Sequence, residues 1–243
     1  MRRLVCIAAG LALGAFVPAT AQPRVLLDGP SGGWVSAPAP RPAHVIAEVQ
    51  RGSVVALYSR PFGRVVARVG ALTQFGSRRA LGVVARSHGR WLAVTEAGVG
   101  GNRAVWVDAH AGGLSYARTR LELEVDLSTR TLTVLRDRTV LRRVSVGVGA
   151  YNSPTPIGRF AVTDKLDGSA FSAAYGCCIL ALSAVQPNLP AGWGGGNRVA
   201  IHGTLSPSDF GHAVSAGCVH ARDADLRYLM RVLPLGTPVV IRP

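Results

Sequence analysis

Ile201-His202-Gly203-Thr204 and, sixteen positions on from its histidine, Cys218 within Ser215-Ala216-Gly217-Cys218-Val219-His220 form the most informative part of the chain. A cysteine is a poor nucleophile as a thiol and a good one as a thiolate. A nearby histidine can take its proton, and exposed backbone N–H groups stabilise the oxyanion that forms on an attacked carbonyl. Val199 to His202 reads as a strand ending on the imidazole, and Gly203 lets the chain turn there. The small residues Ser215, Ala216 and Gly217 leave room for a carbonyl to reach the N–H groups of 216–218. Two plainer readings compete. A single cysteine in an apolar stretch is commonly a buried small hydrophobe. His202, His212, Cys218 and His220 also supply four metal-ligand side chains, but their spacing matches no common zinc ribbon or finger. No metal or other cofactor is expected.

Outward from this pair the chain reads as mostly strand. Leu121, Leu123, Val125 and Leu127 alternate with Glu122, Glu124 and Asp126, the pattern of a half-buried strand. Strand signals continue at 132–135, 140–148, 158–163, 178–182, 199–202 and 238–241, with a rigid loop at Pro154-Thr155-Pro156-Ile157-Gly158. The spacing of Leu226, Leu229, Met230 and Leu233 predicts one helix, capped by Asp223 or Asp225 and stopped by Pro234 and Gly236.

The N-terminal half is organised differently. Arg2-Arg3, an uncharged stretch from Leu4 to Val17 and Pro18-Ala19-Thr20-Ala21 have the layout of a secretory signal peptide over 1–21, cut after Ala21. The apolar run is shorter than the ~20 residues that span a bilayer, so no stable membrane insertion is expected after cleavage. Residues 22–43 are rich in Pro and Gly and read as a linker. Six short β-branched segments follow between 45 and 107, separated by turn signals, which suggests a small closed barrel over 44–110. Residues 111–118, opening on Ala111-Gly112-Gly113, read as a second linker. Removing Cys6 with the signal leaves Cys177, Cys178 and Cys218, an odd number for an exported chain. Adjacent Cα atoms ~3.8 Å apart fall below the usual disulfide range, so Cys177 and Cys178 read as two small hydrophobes on a buried strand.

In these motifs, residues 119–243 resemble the L,D-transpeptidase (YkuD-like) catalytic domain family. The likeness lies in His202-Gly203-Thr204, Ser215-x-Gly217-Cys218-Val219, Val125-Asp126-Leu127-Ser128, the 153–160 loop, Tyr175-Gly176 and Leu235-Gly236-Thr237-Pro238-Val239. Leu57-Tyr58-Ser59-Arg60-Pro61 with Trp91 and Trp106 resembles bacterial SH3-like domains. The resemblances imply a mainly β chain: a small SH3-like barrel, then a β-sandwich-like catalytic domain with one packed helix. They imply Cys218 as nucleophile, His202 as general base and later acid, and the Gly203 carbonyl as orienter of the imidazole. Ala216, Gly217 and Cys218 N–H groups would form the oxyanion hole, with Ser215 bracing the loop. Tyr175, Thr204, His220 and Arg222 are candidate substrate contacts. The family often has His where Ala216 stands and Arg where His220 stands; Arg222 is the candidate replacement for that guanidinium, and His220 a competing base.

The implied activity is cross-linking of third-position residues of peptidoglycan stem peptides through a thioester, with release of D-alanine, in the cell wall or periplasm. The implied partners are a donor tetrapeptide and an acceptor amine. Water as acceptor would make the enzyme an L,D-carboxypeptidase, and loss of activity would leave a wall-binding protein. The net charge of +14 suits anionic wall polymers. The arginines are scattered and no nucleic-acid-binding motif is present, which excludes that class.

Overall fold

The computed structural model describes residues 43–189 and 196–243. The signal peptide expected at 1–21 and all but the last residue of the linker expected at 22–43 lie outside the described residues. The first half forms strands β1 (His44–Val49), β2 (Val54–Tyr58), β3 (Val65–Gly70), β4 (Ala80–Ser87), β5 (Trp91–Val94), β6 (Val105–Asp108) and β7 (Leu114–Thr119). They make one antiparallel sheet in the order β3-β2-β6-β5-β4-β1-β7. Its core gathers Val55, Leu57, Leu81, Val94 and Val107, the inward residues of segments whose β-branched content already marked them as strands.

The second half contributes β8 (Leu121–Asp126), β9 (Thr131–Arg136), β10 (Thr139–Ser145), β11 (Val148–Gly149), β12 (Gly158–Asp167) and β13 (Cys178–Val185). After these come β14 (Arg198–His202), β15 (Ala213–Ser215), β16 (Val219–His220), helix α1 (Asp223–Val232) and β17 (Pro238–Arg242). Eight of them form a mixed sheet, β10-β9-β8-β17-β12-β13-β14-β16, while β11 and β15 pair separately. In β8, Leu121, Leu123 and Val125 are buried and the acidic residues between them are not, as the alternation predicts. β13 is buried from Cys178 through Ala184, the continuous apolar run of a strand covered on both faces. Helix α1 places Leu226 and Leu229 in the same core, with Leu233 at its C-terminal cap. Among the described residues no helix is long and apolar enough to cross a membrane.

Three sequence expectations need correction. Of the expected linker 111–118, residues 114–118 are strand, and Thr119 completes it: β7 pairs with all of β1, from His44↔Thr119 to Val49↔Leu114, and only Arg120 separates it from β8. The glycines Gly112 and Gly113 mark the turn into that strand rather than a loose connector. Neither Asp223 nor Asp225 caps α1. Arg222 occupies the N-cap position without a side-chain cap, and buried Asp225 instead receives Arg142 from β10, Nε to Oδ1 at 2.8 Å. Finally, Cys177 and Cys178 are joined by a disulfide across a Cα separation of 3.7 Å. Cys178 does lie buried at the start of β13, but as half of a bridge and not as a free thiol.

The two sheets meet where β4 lies on β12 and β17. A Cβ on Gly82 would stand 2.7 Å from Ala161 Cβ and 3.0 Å from the Gly236 carbonyl oxygen, so only hydrogen fits. Polar contacts complete the junction. The Asn102 amide donates to Val185 O (2.6 Å) and accepts from Val185 N–H (2.7 Å), and Ser183 Oγ donates to Thr95 Oγ1 (2.8 Å). Gly82→Ala should therefore lower stability by about 1–3 kcal/mol, read from urea midpoints. Gly70→Ala, where an added Cβ meets nothing within 4 Å, should not.

Candidate active site

Strands β14 and β16 run parallel, with Ile201 opposite Val219 and His202 opposite His220. Because side chains alternate along a strand, Cys218, just before β16, points to the same side as His220 and His202. All three line one cleft of about 1060 Å3, together with Tyr175 and Thr204. Arg222 does not. It is exposed and lies over the Phe210 ring at 4.3 Å, so it does not supply a guanidinium to the cleft.

The imidazole of His202 is fixed on both sides. Nδ1 lies 2.6 Å from the Gly203 carbonyl oxygen, which can only accept, so Nδ1 carries the hydrogen and Nε2 holds the lone pair of the neutral ring. Tyr175 packs edge-on against the ring at 4.8 Å, and its own carbonyl accepts the Gly203 N–H at 2.8 Å. This close approach explains the glycine: a Cβ at 203 would fall 2.7 Å from Gly176 Cα and 2.8 Å from Tyr175 O. His202 is only 6% exposed. That burial, and then the neighbouring charge of His220 (ring centroids 4.9 Å apart), pushes its pKa down to about 4 against the opposing Gly203 contact.

Cys218 is free, and part of it reaches the cleft. Its surroundings are dense enough that burial pushes the thiol's pKa up. The Sγ–H is directed at the Arg198 carbonyl, 3.9 Å away on β14. At neutral pH both groups are therefore uncharged, and a thiolate–imidazolium pair is the minor form.

The loop before Cys218 is braced from several sides. Ser215 Oγ donates to Cys218 O (2.5 Å) and accepts from Gly217 N–H (3.1 Å). That contact occupies one of the three expected oxyanion donors, and leaves the N–H groups of Ala216 and Cys218 as candidates. The Ser215 carbonyl accepts from Ala150 N–H (2.8 Å) and Ser153 Oγ (3.3 Å), so the proline-rich loop after β11 supports the loop that leads to Cys218. Gln186, 2% exposed, donates to Pro154 O and ties the same loop to β13.

His220 is not a spare base on an open strand. Its Nδ1 is 2.7 Å from Asp209 Oδ2, and the same oxygen accepts from Thr204 Oγ1 at 2.6 Å. The Thr204 hydroxyl first, and then His220, hold the Asp209 carboxyl below its ordinary range against opposing desolvation. Asp209 and Gln186 drew no attention in the sequence, since a lone acid in a loop and a lone amide after a strand carry no pattern. His212 lies on the loop into β15, where its carbonyl accepts from Val148 N–H (3.0 Å). Among the described residues no three His, Cys, Asp or Glu side chains are grouped to hold a metal ion.

Residues 120–241 match the family model described as YkuD, L,D-transpeptidase catalytic domain. The chain belongs to this family. A putative L,D-transpeptidase YkuD of Bacillus licheniformis is 29% identical over 121 residues, which is 50% of this chain and 65% of that protein. The YkuD protein of Bacillus subtilis is likewise 29% identical over 121 residues, 49% of this chain and 64% of its own. This chain thus spans just under two thirds of these curated relatives. A solved L,D-transpeptidase from Mycobacterium smegmatis is similar over 58% of this chain and 73% of its own, at 20% identity and a TM-score of 0.39.

Two measurements follow for this YkuD-family site. An unfolded histidine titrates near 6.5 and folded His202 near 4, so between those values the unfolded chain takes up a proton that the folded one refuses. The contribution of His202 is fully present above pH 6.5 and falls as the pH drops toward 4, by about 3 kcal/mol. Urea midpoints at pH 7 and pH 4 should differ by more in the wild type than in His202→Gln. Iodoacetamide labelling of Cys218, followed by peptide mass spectrometry, should be slow at pH 7 and reach its plateau at a higher pH than labelling of a free cysteine. A rate already at its plateau by pH 6 would mean a resting ion pair instead.

Proposed function

We propose that this chain is an exported peptidoglycan L,D-transpeptidase working through a Cys218 thioester. The observation that carries the reading is the β14–β16 register, which lines one cleft with Cys218 and an imidazole whose lone pair is on Nε2. In the first step the Cys218 side chain turns from the Arg198 carbonyl toward His202. Nε2 takes the thiol proton as sulfur attacks the carbonyl of the third residue of a tetrapeptide stem. Transfer during attack, rather than from a standing thiolate, follows from the neutral resting state of both groups. The N–H groups of Ala216 and Cys218 receive the oxyanion. The tetrahedral species collapses to a thioester, and His202 gives its proton to the departing D-alanine amine. A side-chain amine of a second stem then attacks the thioester. His202 takes a proton from that amine and returns it to the sulfur, forming the amide cross-link and restoring the enzyme.

Export is supported by the basic, apolar and small-residue segments of 1–21, and an extracytoplasmic site is where stem peptides are found. The positive charge favours retention beside anionic wall polymers, an attraction that salt weakens. The N-terminal sheet is assigned as the SH3-like module on its turn and tryptophan motifs.

The test is incubation of the full chain with purified tetrapeptide muropeptides and mass analysis of the products. Cross-linked dimers with released D-alanine are expected, whereas tripeptides alone would mean that water resolves the thioester. Cys218→Ala should abolish release, and His202→Ala should lower it by about 10²–10⁴-fold. Full activity in Cys218→Ala would overturn the assignment, and binding without turnover in the wild type would leave a wall-binding protein.

A further inference from the structure

Phe75 sits on the turn between β3 and β4, well outside residues 120–241, yet it lines the cleft that holds Cys218 and His202. The turn is built to hold it there. Leu72 and Arg78 bridge its neck, and Thr73 N–H donates to Ser77 O at 2.9 Å. Thr73 Oγ1 accepts from the N–H groups of Phe75 (3.3 Å) and Ser77 (3.2 Å) and donates to the carboxylate of Asp164, a fully buried residue of β12. The tip of the N-terminal sheet is thus anchored inside the other half of the molecule.

From this anchor the Phe75 ring meets Phe171 edge-on, with centroids 6.1 Å apart, and the Arg198 guanidinium at 5.8 Å. Phe171 is 53% exposed and also lines the cleft. Arg198 is the residue whose carbonyl receives the Cys218 thiol, so a single arginine lies between the aromatic pair and the sulfur. An extended peptide, at about 3.3–3.6 Å per residue, covers such a separation in a few residues. The Arg198 side chain is already engaged by Leu182 O, Thr163 Oγ1 and Asp164, so what this corner presents to a ligand is ring surface, continued by Leu166 and Ile179.

We propose that Phe75 and Phe171 form an aromatic subsite, built jointly by the two sheets, that binds the aliphatic part of the donor peptide a few residues from the carbonyl that Cys218 attacks. The proposal rests on the peptide acyl-donor reading above and adds a binding residue from outside the family domain.

The experiment measures D-alanine release from soluble tetrapeptide by full-length wild type, Phe75→Ala and Phe75→Leu, alongside the rate of Cys218 alkylation. Phe75→Ala is expected to raise KM roughly tenfold with kcat within about twofold, and Phe75→Leu, which keeps apolar bulk, to raise it less. Alkylation should be unchanged, because the thiol itself is untouched. The leucine variant keeps the test valid if alanine loosens the turn. An unchanged KM in an active enzyme overturns the subsite alone. A lower kcat at constant KM with altered alkylation also overturns it, since Phe75 would then be positioning the Arg198 strand. A wild type that neither binds nor cleaves the tetrapeptide overturns the functional reading and the subsite together.

Discussion

Two residue pairs, Ile201↔Val219 and His202↔His220, hold β16 parallel to β14, and this short ladder decides what the site can do. Strand side chains have a period of two, so slipping the register by one residue would turn Cys218 away from the face that carries His202. The surrounding structure exists largely to hold that register. Gly147 exchanges backbone hydrogen bonds with His220, and Ala221 N–H donates to His202 O at 2.8 Å. Ser215 closes the loop that leads to Cys218.

The same packing sets the electrostatics. Burial penalises charge on both reacting groups, and His220 adds a cost to protonating His202. On the proposed mechanism, such a site stays quiescent until a bound carbonyl and its oxyanion donors stabilise the charge that forms. It contrasts with cysteine sites that rest as ion pairs and react readily with any small electrophile. Asp209 makes the arrangement asymmetric: one histidine leans on a carboxylate, the other on a neutral carbonyl, so the two rings differ although they touch.

Much of this was legible in the sequence, for physical reasons that differ by element. The alternation in β8 and the apolar stripe of α1 are direct images of burial, and both were readable residue by residue. His202, Gly203 and Cys218 stood out because their chemistry and spacing form a motif. What escaped depended on distant partners. Residues 114–118 looked loose because two glycines precede them, but a strand needs only a neighbour, and β1 supplies it. Asp225 looked like a cap because caps are local, whereas its partner Arg142 lies 83 positions away. Arg222 looked like a cleft cation until Phe210 took it. Phe75 meets Phe171 and Arg198, which no local window contains, while Asp209 lies only 5 and 11 positions from Thr204 and His220 but in no recognisable pattern with them.

The amide of Asn102 imitates a neighbouring strand, satisfying both the N–H and the carbonyl of Val185 at once. Parting the halves would break the Asn102 contacts to both Val185 backbone groups, the Thr73–Asp164 hydrogen bond and the Ser183–Thr95 hydrogen bond together. Neither half therefore opens cheaply on its own. The two halves are expected to melt together, and the half that begins at residue 120 to lose stability when cut out alone.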